Sequence, residues 1–108
     1  MGLFGKKKLK KFPSNLVSYI QIETEAIADS NDKQMISSYC IHKLDTVNWY
    51  LELLEVGSQK YIVPYSKAQL ELLRDQLMDC HKAIMATKVT KPGDRPLLDI
   101  KYPKGYEG

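Results

Sequence analysis

The sequence predicts an α+β domain: an antiparallel sheet of three or four strands followed by one long C-terminal helix, with an all-α helical hairpin bundle as the alternative. Three observations carry this expectation. Residues 17–26 alternate apolar and polar, the period of a half-buried strand. The dipeptide Gly57-Ser58 stands between two apolar runs with the glycine first, as a tight type II′ hairpin requires. From Ser66 onward a capped stretch shows apolar residues at spacings of three and four.

The elements follow in chain order. Residues 1–12 (MGLFGKKKLKKF) hold Lys6, Lys7, Lys8, Lys10 and Lys11 with no acid and end at Pro13, so they read as a flexible basic arm. In the next segment Ile20, Ile22, Thr24 and Ala26 alternate with Gln21, Glu23 and Glu25, and the β-branched content favours a strand. A helix there would gather Leu16, Ile20 and Ile27, with Glu23 interrupting its face. Residues 28–32 (ADSND) read as a polar turn. Residues 35–44 form a second expected strand, joined by a tight Asp45-Thr46 connection to a third over 47–56. A continuous helix from Lys33 to Val56 is the competing reading of this stretch. Pairing outward from Gly57-Ser58 sets Glu55 opposite Lys60 and Leu54 opposite Tyr61. The helix then begins at Ser66, whose hydroxyl and Gln69 have capping-box spacing, and should run to about Thr87. A Pro/Gly-containing tail over 88–108 completes the division into arm, single globular domain (13–87) and tail.

A chain of 108 residues with 44% hydrophobic and 27% charged residues supports one core and no membrane span, so the expected compartment is the cytoplasm. The net charge of +3 is unevenly spread. Residues 13–87 carry six basic against ten acidic side chains, and the positive excess sits in the two ends. Any polyanion would meet the ends first. Cys40 and Cys80 are too far apart for a metal-binding pair and too few for a disulfide framework, and read as small core residues.

Catalysis needs a nucleophile with an adjacent base, or titratable groups gathered in a pocket. The chain has two histidines, His42 and His81, neither at ligand or dyad spacing, and no glycine-rich phosphate loop. The expectation is therefore a non-enzymatic protein with no cofactor and no metal site. In the hairpin register Tyr50 and Tyr61 share a sheet face that a tight Asp45-Thr46 turn extends to Tyr39. Such a face could stack the bases of a single strand while Lys6, Lys7, Lys8, Lys10 and Lys11 follow its backbone. The competing use of these tyrosines is to pack against a covering helix. The stripe Leu70, Leu73, Leu77 and Ile84 reads as core or, with a symmetry mate, as a dimer seam.

Residues 60–84 (KYIVPYSKAQLELLRDQLMDCHKAI) resemble the positive-cofactor-four family of single-stranded DNA-binding coactivators, in which a last strand leads through a polar cap into a helix. The Gln69, Leu73, Leu77 rhythm carries the likeness. The resemblance implies a dimer that binds single strands on a curved sheet face, with the helix behind it. The chain departs from the family at Glu55, Val56, Gly57 and Ser58, where a basic, glycine-containing run is expected.

These readings converge on a small basic nucleic-acid-binding accessory protein, with single strands as the expected ligand. The alternative is a structural or adaptor protein docking on a larger phage or bacterial assembly. Expected partners are nucleic acid and a protein partner or homodimer. Peripheral membrane contact through residues 1–12 is a third reading of the same lysines.

Overall fold

A computed structural model describes residues 6–90. In place of the expected sheet, three helices dominate: α1 (Leu16–Glu25), α2 (Ser30–Val56) and α3 (Lys67–Ala86). The only strands among the described residues are β1 (Lys7–Lys8) and β2 (Tyr61–Ile62), which pair in parallel. The antiparallel sheet of three or four strands is therefore overturned, and the expected helix at the C-terminal side is one of three.

Each departure has a local cause. In α1 the alternation is real but does not describe burial: Leu16 and Ile20, one helical turn apart, are buried, whereas Ile22 is 63% exposed. The Thr24 hydroxyl donates to the Ile20 carbonyl at 2.7 Å, which accommodates this β-branched residue in the helix. Residues 28–32 form a helix start where a turn was expected. Asp29 caps α2 by accepting from the Asp32 amide at 2.9 Å, and the Asp32 carboxylate accepts from the Ala28 amide at 3.0 Å.

From there α2 runs 27 residues without a break, so the competing continuous helix is the one observed, beginning three residues earlier than Lys33. Asp45 and Thr46 lie inside it, and the Thr46 hydroxyl donates to the His42 carbonyl at 3.2 Å. The buried stripe of α2 is Ile36, Cys40, Lys43, Val47 and Tyr50, at alternating spacings of four and three. A lysine in the middle of that stripe hides its helical period from a hydrophobicity count.

Gly57 also has a different role from the one expected. It takes φ 64° and ψ 52°, and its amide donates to Leu54 while that of Ser58 donates to Leu53. This is a Schellman stop for α2. Positive φ is the property that hairpin turns and helix ends both demand of glycine, so the dipeptide alone does not separate them.

The expected start of α3 is borne out. The Ser66 hydroxyl accepts from the Gln69 amide and the Gln69 side chain accepts from the Ser66 amide, a complete capping box. Ser66→Ala should cost about 1 kcal/mol, read as a lower urea midpoint with an unchanged slope. Helices α2 and α3 are antiparallel: Lys33 near the start of α2 donates to the Met85 and Thr87 carbonyls at 3.2 and 2.7 Å, and the Cys40 thiol donates to the Leu77 carbonyl at 3.3 Å. α3 has no base in its own last turn, so Lys33 supplies positive charge to its C-terminal carbonyls from the neighbouring helix. α1 packs on both long helices, with Tyr19 edge-on to Tyr39 at 5.5 Å.

Candidate nucleic-acid interface

The lysine-rich segment lies against the helices from residue 6 onward. Lys7 pairs with Tyr61 and Lys8 with Ile62. The Lys7 amide donates to the Lys60 carbonyl at 2.9 Å and the Leu9 amide to the Ile62 carbonyl at 3.0 Å. Leu9 is buried in the core. Two tyrosines then clamp the following backbone: the Tyr50 hydroxyl donates to the Lys10 carbonyl at 2.8 Å, and the Phe12 amide donates to the Tyr65 hydroxyl at 2.7 Å. The Phe12 ring lies 5.4 Å from that of Tyr50 and 5.8 Å from that of Tyr65. Burial raises the Tyr65 pKa, and the bond from Phe12 partly offsets the rise.

Extended backbone turns alternate side chains in opposite directions, which explains how Leu9 enters the core while its neighbours stay outside. Lys6, Lys7, Lys8, Lys10 and Lys11 are all exposed, and the pairing brings exposed Lys60 beside them. The result is a basic ridge on a pinned backbone. Leu54 and Ile62 are exposed beside it. Between them and Lys6 runs a groove of about 350 Å³ that Tyr61 and Val63 also line.

The three tyrosines expected on one sheet face are not brought together. Tyr39 and Tyr50 belong to α2. Tyr50 is 2% exposed and serves as a clamp, and Tyr39 is half-buried between Tyr19 and the Lys43 ammonium. Tyr61 alone borders the ridge, half-buried and edge-on to Trp49 at 5.3 Å. The stacking face fails for the same reason as the sheet: its residues sit on a helix, where alternate positions do not share a side. Leu70, Leu77 and Ile84 are fully buried within the chain and Leu73 packs against them, so this stripe is used internally.

Sequence reasoning missed Lys60 as a member of the ridge and Lys43 as a core residue. Lys60 precedes the aromatic residue that pairs with the lysine run, a weak signal. Lys43 gave none, because only the turn of α2 buries it. Its side chain is 0% exposed, its Nζ lies 5.2 Å from the centre of the Tyr39 ring, and desolvation lowers its pKa to about 8. Burial, with Lys43 adding, lowers the pKa of His42, while Asp45 opposes the shift. Burial pushes the Cys40 thiol up to about 12, with Cys80 contributing, and raises Cys80 as well. Thiols held in this protonated state are poor nucleophiles.

Among the described residues no three His, Cys, Asp or Glu side chains converge, and no helix is long and apolar enough to cross a membrane. No protein-family model matches the chain, and no match was found among curated proteins or solved structures. Residues 60–84 do contain a short strand and a capped helix. The curved sheet face that the resemblance implies is not formed by the described residues.

Proposed function

We propose that the protein is a non-enzymatic nucleic-acid-binding accessory protein that grips the phosphate backbone along the ridge of Lys6, Lys7, Lys8, Lys10, Lys11 and Lys60. One observation carries this reading: the backbone of residues 7–12 is fixed by hydrogen bonds, by burial of Leu9 and by packing of the half-buried Phe12, while the lysine side chains of the segment are exposed. A pre-ordered row of ammonium groups loses less conformational freedom on binding than a free tail does. Single strands suit a ridge of this kind, since their flexible backbone can follow a short curved row of charges. Contacts to phosphate position a nucleic acid without reading its sequence, so binding should be sequence-tolerant and salt-dependent.

Deletion of residues 1–12 would strip Leu9 and Phe12 from the core, so charge is better removed by substitution. For single strands log K falls with log salt by about 0.7 per phosphate neutralised. Lys8→Glu combined with Lys10→Glu should therefore weaken binding to a labelled single-stranded oligonucleotide about tenfold or more in low salt and flatten the salt slope, as read by fluorescence anisotropy. Lys60→Glu should act in the same direction. Unchanged affinity in both variants would remove the ridge from the mechanism.

The adaptor reading draws on Leu54 and Ile62, which leave apolar surface exposed beside Lys6. It gains ground if the wild-type protein binds neither single-stranded nor duplex oligonucleotides.

A further inference from the structure

The register of the two short strands puts an apolar side chain among the lysines. Lys8 stands opposite Ile62 in the parallel pair. Paired residues share a face of the ladder, and the alternation of extended backbone sends their neighbours to the other one. That other face carries Leu9, which is buried, and Tyr61 and Val63, which are half-buried against the core. Ile62 is left 44% exposed on the side of Lys8, and Leu54 in the last turn of α2 is 37% exposed.

The groove of about 350 Å³ lies at this place, lined by Lys6 together with Leu53, Leu54 and Ile62. Its polar lining comes from the loop that follows α2. The Ser58 hydroxyl accepts from the Lys60 and Tyr61 amides at 3.2 and 3.3 Å, and the Gln59 carboxamide donates to the Gly57 carbonyl at 3.3 Å. These bonds hold a hydroxyl and a carboxamide in position beside the apolar residues. The groove therefore offers apolar surface, fixed hydrogen-bonding groups and an adjoining row of ammonium groups. A flat ligand with an apolar face, polar edges and an attached negative charge meets all three, and a nucleobase on its phosphate is such a ligand. The ammonium groups complement the phosphate, and the groove is continuous with the ridge through Lys6.

We propose that this groove is a subsite for one unstacked base of the single strand whose phosphates lie on the lysine ridge. The inference rests on the ridge reading and adds a cause for the choice of single strands: in a duplex each base face is covered by its neighbours, so no base enters the groove without being extruded. Ile62 packs on the face of the base and the Ser58-Gln59 loop meets its edge, while Lys6 and Lys8 hold the adjoining phosphates. Every base has such a face, so the subsite tolerates any sequence.

Fluorescence anisotropy of the full chain should show a labelled single strand bound about fivefold or more tightly than an abasic strand of the same length in the same salt. Ile62→Ser leaves the charge of the ridge unchanged and should bring the two strands within about twofold of each other, with the salt slope retained. Ile62→Tyr should widen the difference by about fivefold, a gain that a folding defect does not imitate. Equal affinity of the wild type for both strands, or a difference that Ile62→Ser leaves intact, overturns the base subsite and means that the groove is empty or has another occupant. The ridge then still stands if Lys8→Glu with Lys10→Glu weakens binding. No binding of either strand overturns both readings. Binding to phosphatidylserine vesicles that Ile62→Ser abolishes, with strand binding unaltered, assigns the patch to a membrane surface and likewise overturns the proposal.

Discussion

Tyr50→Ala is expected to destabilise the protein by about 3–5 kcal/mol, the usual cost of deleting a buried aromatic side chain. Stability for a domain of this size is about 5–15 kcal/mol, so this one change removes a large share of it. Tyr50 is 2% exposed, contacts the rings of Phe12, Trp49 and Tyr65, and donates its hydroxyl to the Lys10 carbonyl. It therefore joins three parts of the chain: α2, the lysine-rich segment and the residues that lead into α3. Tyr50→Phe keeps the ring and loses the hydrogen bond, and should cost only about 1 kcal/mol. The chain's one tryptophan, Trp49, has its ring 5.7 Å from that of Tyr50. Urea unfolding followed by its fluorescence checks both values. A Tyr50→Ala loss no larger than that of Tyr50→Phe would mean that the aromatic cluster contributes little.

Lys43→Met is expected to have the opposite sign, stabilising the protein by about 1–3 kcal/mol at neutral pH. Charging a lysine that water does not reach is unfavourable, and the ring of Tyr39 recovers only part of the lost hydration. A pKa moved from 10.5 to about 8 corresponds to about 3 kcal/mol between the two protonation states. The sign with pH follows from proton counting. Between pH 8 and 10.5 the unfolded chain still holds the proton that the folded chain has released, so stability rises with pH in that window. Below pH 8 both states are protonated and the full penalty applies. Cys40 acts against this: its folded pKa of about 12 lies above the ordinary 9.0, so its contribution falls from pH 9 upward. Subtracting the curve of Lys43→Met from that of the wild type cancels the cysteine. The advantage of the variant should be constant below pH 8 and shrink towards pH 10.5. A destabilised variant, or a difference independent of pH, would show that Lys43 gains more from its surroundings than burial costs it.

The same lysine explains much of what the sequence concealed. Helix α3 was legible because its signals agree: a hydroxyl and an amide at capping-box spacing, then apolar residues every three and four positions, with Leu70, Leu77, Cys80 and Ile84 buried as that spacing requires. In α2 the equivalent stripe contains Lys43, and the tyrosines at 39 and 50 suit a strand as well as a helix, so local preference and helical period pointed in different directions. For α1, the alternation around Ile20 and Ile22 misled because one isoleucine faces the core and the other faces water.

The candidate site divides in the same way. That lysines would carry any polyanion contact is a property of the chain itself, since Lys6, Lys7, Lys8, Lys10 and Lys11 stand without an acid among them. The buried state of both cysteines and the capped start of α3 likewise follow from residue type and spacing. Tertiary structure alone decided that the lysines stand on an anchored backbone beside Lys60, that Tyr50 is a clamp with no free face, and that Gly57 ends a helix. Each of these depends on contacts between residues some 40 to 50 positions apart, or on which of two conformations open to glycine the surrounding packing favours. Short-range pattern carries no information about such pairings, because their free energy comes from surface that is buried only once the helices have come together.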